Sequence, residues 1–337
     1  MKLSVGIVGM PNVGKSTLFH NLTKAKVNIA NYPFCTIDPN VGIVVVPDKR
    51  LDELAKLSNS KKKIPAVVEF YDIAGLVRGA YKGEGLGNQF LAHIREVNAI
   101  VQVLRCFDDS ETIHVEESIN PLRDLELINA ELAFKDLETI ERVLKTAENN
   151  ARTGDRDQKK YAEDLKIIKQ ALEDFKPISI EPYDAFIENS KIKELNLLMA
   201  KKQIYFLNGA KANVSEKLAR KIKELGANYI IADLAQSPDI KKLIEGAYKI
   251  LNLISFFTTG EEETRAWTVR KDSKARDAAA AIHTDFKDKF IRADIIDWQK
   301  LIDIGGWNKA REKGLIRSEG KDYVVKDGDV IIIKHGP

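Results

Sequence analysis

Cysteine is scarce in this 337-residue chain: Cys35 and Cys106 are the only two. A pair so placed excludes a disulfide framework and a cysteine-built metal cluster, and a reducing cytoplasm is the expected setting. Long apolar runs are also missing. No stretch approaches the roughly 18–20 apolar residues that a membrane span needs. Leu3 to Met10, after Lys2, imitates the core of a short signal peptide. Gly6, Gly9 and Pro11 interrupt it, no small-residue cleavage site follows, and it reads as a first β-strand. One-sided charge is lacking too, with 53 Lys and Arg against 50 Asp and Glu. Whole-chain charge therefore calls for no nucleic-acid partner and no DNA sequence specificity, and any basic patch has to be local.

What is present suits a soluble globular chain of two or three domains, 44% hydrophobic and 31% charged. Strands are expected at 3–8, 41–46, 66–71, 99–105, 203–207 and 229–232, with a helix after Lys15. Ala99 to Arg105 (AIVQVLR) is apolar enough to lie centrally in a parallel sheet. This alternation implies a doubly wound α/β domain, covering 1–121 and 201–254. Residues 122–200 hold no convincing strand. Tyr161, Leu165, Ile168, Leu172 and Phe175 follow a coiled-coil seam, and Leu125, Ile128, Leu132, Leu137, Ile140 and Leu144 make a less regular stripe. With NNARTGDRDQ, Asn149 to Gln158, as the turn, they suggest two antiparallel helices projecting as an arm. Two ordinary packed helices of the α/β domain are the alternative. From 255 to 337 short strands and one helix, Ala275 to Ile282, predict a small α+β module.

GMPNVGKST, Gly9 to Thr17, matches G-x-x-x-x-G-K-[ST] in full. Gly9 and Gly14 let several backbone N–H groups converge on phosphate oxygens. Lys15 reaches the β- and γ-phosphates, the Ser16 hydroxyl binds Mg²⁺, and the following helix adds its positive end. DIAG, Asp72 to Gly75, closes the strand 66–71. An Asp at that place can hold the metal's water shell, and Gly75 can offer its N–H to a γ-phosphate. Thr36, between the two motifs, could close onto Mg²⁺ as a first switch. GEGLGN, Gly83 to Asn88, supports a mobile second switch through its glycines.

NYPFCTIDPNVG at 31–42, DIAGLVRGAYKGEGLGNQFLAHIREV at 72–97 and RAWTVRKDSKARDAAAAIHTDFKDKFIRAD at 265–294 resemble the YchF family, the Obg-like ATPases. The resemblance runs over nearly the whole chain. It implies a Ras-like P-loop nucleotide domain, an inserted helical coiled-coil arm and a C-terminal TGS domain of ubiquitin-like shape. It implies ATP hydrolysis with GTP used more weakly, and ribosome and rRNA as partners. The nucleotide-binding set it suggests is Asn12, Val13, Gly14, Lys15, Ser16 and Thr17, with Phe34, Asn208, Gly209 and Ala210. The metal set is Ser16, Thr36 and Asp72. Where many Ras-like GTPases carry a water-orienting Gln, this chain has Leu76, which cannot polarise water. The resemblance points instead to a histidine after the fourth strand, matched by His114, beside Lys15 and Gly75 as the catalytic set. Asn12 resembles an asparagine that in some relatives helps bind K⁺.

Guanine selection usually comes from N-K-x-D, whose Asp accepts from guanine N1–H and the 2-amino group. Here the strand QIYFL ends in Asn208-Gly209-Ala210-Lys211, and Lys211 is a pure donor. ATP is therefore favoured. Asn213-Val-Ser-Glu216 has the spelling typical of the family but lies five residues further on. IIADL near 231–234 falls where a fifth nucleotide motif is expected and is too generic to carry weight. Lys159, Lys160, Lys166 and Lys169 of the arm, and Arg265, Arg270, Lys271, Lys274 and Arg276 around Trp267, are candidate phosphate contacts. Trp267 alternates with arginines and could equally be core.

Overall fold

A computed structural model describes residues 4–24, 38–73, 88–107, 119–152, 155–236 and 240–336. The chain runs β1 (Ser4–Val8), α1 (Lys15–Thr23), β2 (Val41–Val45), α2 (Lys49–Leu57), β3 (Lys62–Ile64), β4 (Val67–Asp72), α3 (Asn88–Glu96) and β5 (Ala99–Arg105). Then come α4 (Pro121–Ala151), α5 (Arg156–Glu173), α6 (Asp184–Ile187), α7 (Ser190–Lys193), β6 (Lys202–Asn208), α8 (Glu216–Glu224), β7 (Asn228–Ala232) and α9 (Lys241–Ile250). It ends with β8 (Leu253–Thr259), β9 (Glu263–Arg270), α10 (Ala275–Ile282), α11 (Thr284–Asp288), β10 (Phe290–Asp297), α12 (Trp298–Ile304), α13 (Trp307–Glu312), β11 (Arg317–Glu319) and β12 (Asp329–His335).

Two compact units result. Of the described residues, the first holds those within 4–24, 38–42 and 69–243, the second those within 43–68 and 244–336. The nucleotide-side sheet has the order β2-β4-β1-β5-β6-β7. Within it β1 pairs in parallel with β4 and β5, β5 with β6, and β6 with β7. All seven residues of β5 are buried, as its apolar run requires of a strand covered on both faces.

In the same unit α4 and α5 pack on each other as two antiparallel helices, with Lys166 pairing with Glu148 at 2.8 Å and Lys169 with Glu141 at 3.1 Å. Asn120 caps α4 by accepting from the Arg123 N–H, and Asp155 caps α5 by accepting from the Asp157 and Gln158 N–H groups. Leu132, Ile140, Leu165, Ile168 and Leu172 are buried, whereas Leu137 and Leu144 are half-buried. The seam stops short of Phe175. The helix ends at Glu173, and Phe175, at φ 54°, packs edge-on against the exposed ring of Phe134 at 5.5 Å.

Asp136 fastens α4 to the chain entering β6. Its carboxylate accepts from the Leu198 and Met199 N–H groups at 2.9 and 2.8 Å. Burial pushes this carboxyl up to about 6, against the pull of those N–H groups and of Arg95 and Lys201. The folded chain thus holds this proton more tightly than the unfolded one. That contribution to stability is present below the ordinary carboxyl range and is lost as pH rises through about 6. The stability advantage of the parent over Asp136→Asn is expected to shrink by about 2 kcal/mol between pH 4.5 and 7, read by urea unfolding. A pH-independent difference would assign the upward shift elsewhere.

The second unit carries a sheet in the order β11-β10-β12-β8-β9-β3. Phe256, Val269, Ala275, Ala278, Ala293, Ile295, Val325 and Ile331 form its core. Residues 43–68, expected within the nucleotide domain, cluster here. β3 pairs in parallel with β9, Lys62 opposite Glu263. Arg50 reaches Asp48 at 2.8 Å and Asp327 at 2.7 Å and lies over the Phe257 ring. Among the described residues, the chain between the two phosphate motifs forms β2, α2, β3 and β4. Asp48 caps α2, and Leu51 and Leu54 are buried on one face.

Candidate functional site

The phosphate loop leaves β1 at Val8 and enters α1 at Lys15. Asn12 has φ 59° and Gly14 φ 101°, so the chain turns through the left-handed region twice within three residues. At Gly14 only glycine fits, because a Cβ there would lie 2.5 Å from the Asn208 side-chain nitrogen. The Lys15 Nζ is folded back and donates to the Met10 carbonyl at 2.5 Å. Burial lowers this ammonium to about 8, partly offset by Asp72. A buried cation held on one loop carbonyl is poised for a stronger anionic partner.

Asp72 ends β4 opposite Ile7 of β1, which sets it beside the loop. Its N–H donates to the Asn40 carbonyl, and its Oδ2 accepts from the Ser16 hydroxyl at 3.2 Å. This pair offers hard oxygen donors only. Among the described residues no group of three or more His, Cys, Asp or Glu gathers as an all-protein metal cage. A small hard cation completed by phosphate oxygens and water fits such a donor set.

Asn208, at the end of β6, is buried, and both ends of its amide are engaged. Nδ2 donates to the Val13 carbonyl at 2.9 Å, and Oδ1 accepts from the Leu234 N–H at 3.1 Å. It thereby ties the phosphate loop to the segment after β7. Gly209, at φ 152°, passes so close to Cys106 that a Cβ would meet its backbone at 2.9 Å. Asn213 sits in an exposed turn over Lys211–Asn213 and Glu216 at the start of α8. Of the two asparagines, Asn208 is the one brought against the loop.

The structure thus gathers Asn12, Val13, Gly14, Lys15, Ser16, Asp72 and Asn208 at the carboxyl end of the parallel sheet, where open α/β sheets bind ligands. Thr17 is exposed on the first turn of α1, and Ala210 and Lys211 are exposed beyond Gly209. Phe34, Thr36, Gly75, Leu76 and His114 lie outside the described residues, as do residues 74–87 of the second switch. Sequence reasoning missed the Met10 carbonyl, which has no side-chain signal, and undervalued Leu234, whose IIADL context was its one signal.

Of the candidate phosphate contacts, Lys166 and Lys169 pair with Glu148 and Glu141 of α4, while Lys159 and Lys160 are exposed. Trp267 is half-buried, with Nε1 donating to the Thr258 hydroxyl at 2.9 Å and the Arg265 guanidinium 4.1 Å above its ring. No helix among the described residues is long and apolar enough to cross a membrane.

A family model described as a 50S ribosome-binding GTPase matches residues 4–153. The model of the YchF GTPase C-terminal region, described as a protein of unknown function, matches 253–336. The ribosome-binding ATPase YchF of Bacillus subtilis is 43% identical, over 98% of each chain. That of Escherichia coli O157:H7 is 42% identical with the same coverage, and the Obg-like ATPase 1 of Oryza sativa 39%, over 98% of this chain and 92% of its own. The structure of the Schizosaccharomyces pombe YchF GTPase superposes with a TM-score of 0.88 at 38% identity, covering 99% of this chain and 98% of that one. With such identity sustained from end to end, this chain belongs to the YchF family.

Proposed function

We propose that this protein, a P-loop nucleoside-triphosphate hydrolase by fold and family, is a Mg²⁺-dependent ATPase that uses GTP more weakly. Its nucleotide state governs association with the ribosome and its rRNA, and through it translation or the stress response. The observation that carries this is the buried Lys15 ammonium, set in the loop beside the Ser16–Asp72 pair. Lys15 and the loop N–H groups hold the β- and γ-phosphates. Ser16, Asp72 and, on closure, Thr36 hold Mg²⁺, which supplies charge neutralisation at the transferred phosphoryl group. Gly75 donates to the γ-phosphate, and His114 orients the attacking water in place of the missing Gln. Asn12 would help hold K⁺, which would supply positive charge near the phosphates. Phe34, Gly209 and Ala210 border the base. With Lys211 where a guanine-reading carboxylate would stand, discrimination for guanine is poor.

In this reading the nucleotide domain is drawn from residues 1–121 and 201–254, apart from 43–68 and 244–254, which cluster with the second unit; residues 122–200 are the coiled-coil arm and residues 255–337 the TGS domain, with a cytoplasmic setting. Leu76 favours one competing reading, a nucleotide-gated scaffold whose hydrolysis is incidental. The deciding experiment measures affinity and turnover for ATP and GTP with and without ribosomes, in K⁺ and in Na⁺. Tighter ATP binding, Mg²⁺-dependent turnover raised by ribosomes and faster rates in K⁺ are expected. Turnover that ribosomes leave unchanged, with ribosome binding that ATP alters, selects the scaffold. Strong GTP preference refutes the base assignment, and unchanged turnover in His114→Ala removes His114 from the mechanism.

A further inference from the structure

Lys201, the residue before β6, is buried, and its ammonium meets three acceptors. Nζ donates to the Val97 carbonyl at 2.6 Å, the Arg95 carbonyl at 3.0 Å and Asn196 Oδ1 at 3.2 Å. Asn196 Nδ2 donates to the same Arg95 carbonyl at 3.0 Å. Arg95 is in the last turn of α3 and Val97 just past it. An ammonium and an amide thus close the carboxyl end of that helix, where its unpaired carbonyls and negative end favour a cation. Burial lowers the Lys201 ammonium to about 8, and Asp136 of α4 draws it back up. The chain from Asn196 to Lys201 is also held from the arm. Asp136 accepts from the Leu198 and Met199 N–H groups, and the Met199 carbonyl accepts from the Ile178 N–H at 3.1 Å, on the chain leaving α5. Direct contact between α3 and α4 is slack by comparison. The Arg95 guanidinium reaches the Thr139 hydroxyl at 3.4 Å, the outer limit of a hydrogen bond, and its Nε is buried with no partner among the described residues.

We infer that Lys201, with the segment 196–201, is the joint through which α3 carries the nucleotide state to the arm. α3 begins at Asn88, the last residue of GEGLGN, so a change in the second switch acts on the start of this helix. A packed helix shifts as one body, and the shift arrives at its carboxyl end on Lys201 and Asn196. There it either drags the two side chains along or breaks their bonds. Both events alter the load on the Leu198 and Met199 N–H groups that Asp136 holds, and on the Met199 carbonyl that Ile178 holds. The segment therefore reaches α4 and the tail of α5 together, which the slack Arg95–Thr139 contact cannot do. Lys201 acts by positioning and is no part of the phosphate loop. The inference rests on the nucleotide reading above and assigns the route by which that state leaves the site.

Amide hydrogen exchange of the full chain, with and without the non-hydrolysable analogue AMP-PNP and Mg²⁺, makes the test. In the parent, saturating nucleotide is expected to change exchange by about fivefold or more, the lower end of ordinary coupling, at residues 13–16, 89–97, 133–140 and 178–180. In Lys201→Met the changes at 13–16 and 89–97 should persist, while those at 133–140 and 178–180 vanish. A merely structural lysine would instead raise exchange at the arm root equally with and without nucleotide. Asn196→Gly alters an exposed residue at φ 48°, which glycine adopts freely, and should weaken the arm response in a chain that folds. Responses at 13–16 and 89–97 that stop short of 133–140 in the parent would overturn the inference alone. So would an arm response undiminished in folded Lys201→Met, or in Asn196→Gly should the methionine variant fail to fold. No response even at 13–16 would refute the nucleotide reading, and this inference falls with it.

Discussion

Lys15→Ala is expected to lose ATP binding and turnover together, with kcat/KM falling by about 10²–10³-fold, the range seen when one fixed electrostatic donor is removed from a transition state. Lys15 lies in the phosphate loop itself, it is 7% exposed, and its one hydrogen-bond partner among the described residues is the Met10 carbonyl. A neutral acceptor holds an ammonium less strongly than a phosphate does, so an arriving triphosphate takes Nζ over at little cost. The alanine also removes a buried charge that burial already disfavours. The variant should therefore fold at least as well as the parent, and its unfolding midpoint provides the control. Isothermal titration with ATP and Mg²⁺ and a phosphate-release assay make the measurement. A folded Lys15→Ala chain that binds and consumes ATP at the parental rate would remove the basis of the functional reading.

How much of this was legible beforehand depends on the range of the interaction. GMPNVGKST is a local motif, and its loop, the strand before it and the helix after it all lie where the residues imply. AIVQVLR was readable as a central strand because burial on both faces leaves no alternation to misread. The pair of antiparallel helices α4 and α5 was readable through repeated apolar spacing, which fails at the end of α5: Phe175 keeps the period, yet α5 stops at Glu173. Pairings distant along the chain were not readable. β3 is three residues, KKI, too short to carry a period, and its partner β9 lies some two hundred positions away. Nothing in DKRLDELAKL announces that Arg50 will meet Asp327 and draw residues 43–68 into the second unit. At the site, Lys15, Ser16, Asp72 and Asn208 lie together at their motif positions, while contacts made by main-chain atoms, the Met10 carbonyl and the Leu234 N–H, carried no signal. Backbone groups are the same in every residue and leave no mark in a sequence.

Asn208→Ala is the second substitution with a large expected effect, and it separates a positioning role from direct contact with the base. The asparagine spans two segments far apart in sequence, holding the Val13 carbonyl with one end and the Leu234 N–H with the other. Both are buried contacts, and alanine leaves each main-chain partner unpaired at about 1–3 kcal/mol apiece. Stability of the nucleotide-side unit is expected to fall by about 2–4 kcal/mol, seen as a lower urea midpoint. ATP affinity should fall by about tenfold to a hundredfold, because N–H groups that converge on phosphate only when the loop is held are no longer pre-set. Asn208→Asp separates the two ends. Its carboxylate still accepts from Leu234 but loses the donor to Val13 and repels that carbonyl, so the aspartate should release the phosphate loop while retaining the Leu234 contact. Amide hydrogen exchange distinguishes them: residues 13–15 speed up in both variants, residue 234 in the alanine alone. If both variants keep parental exchange at these positions yet lose ATP, Asn208 acts on the nucleotide itself, not through the loop it holds.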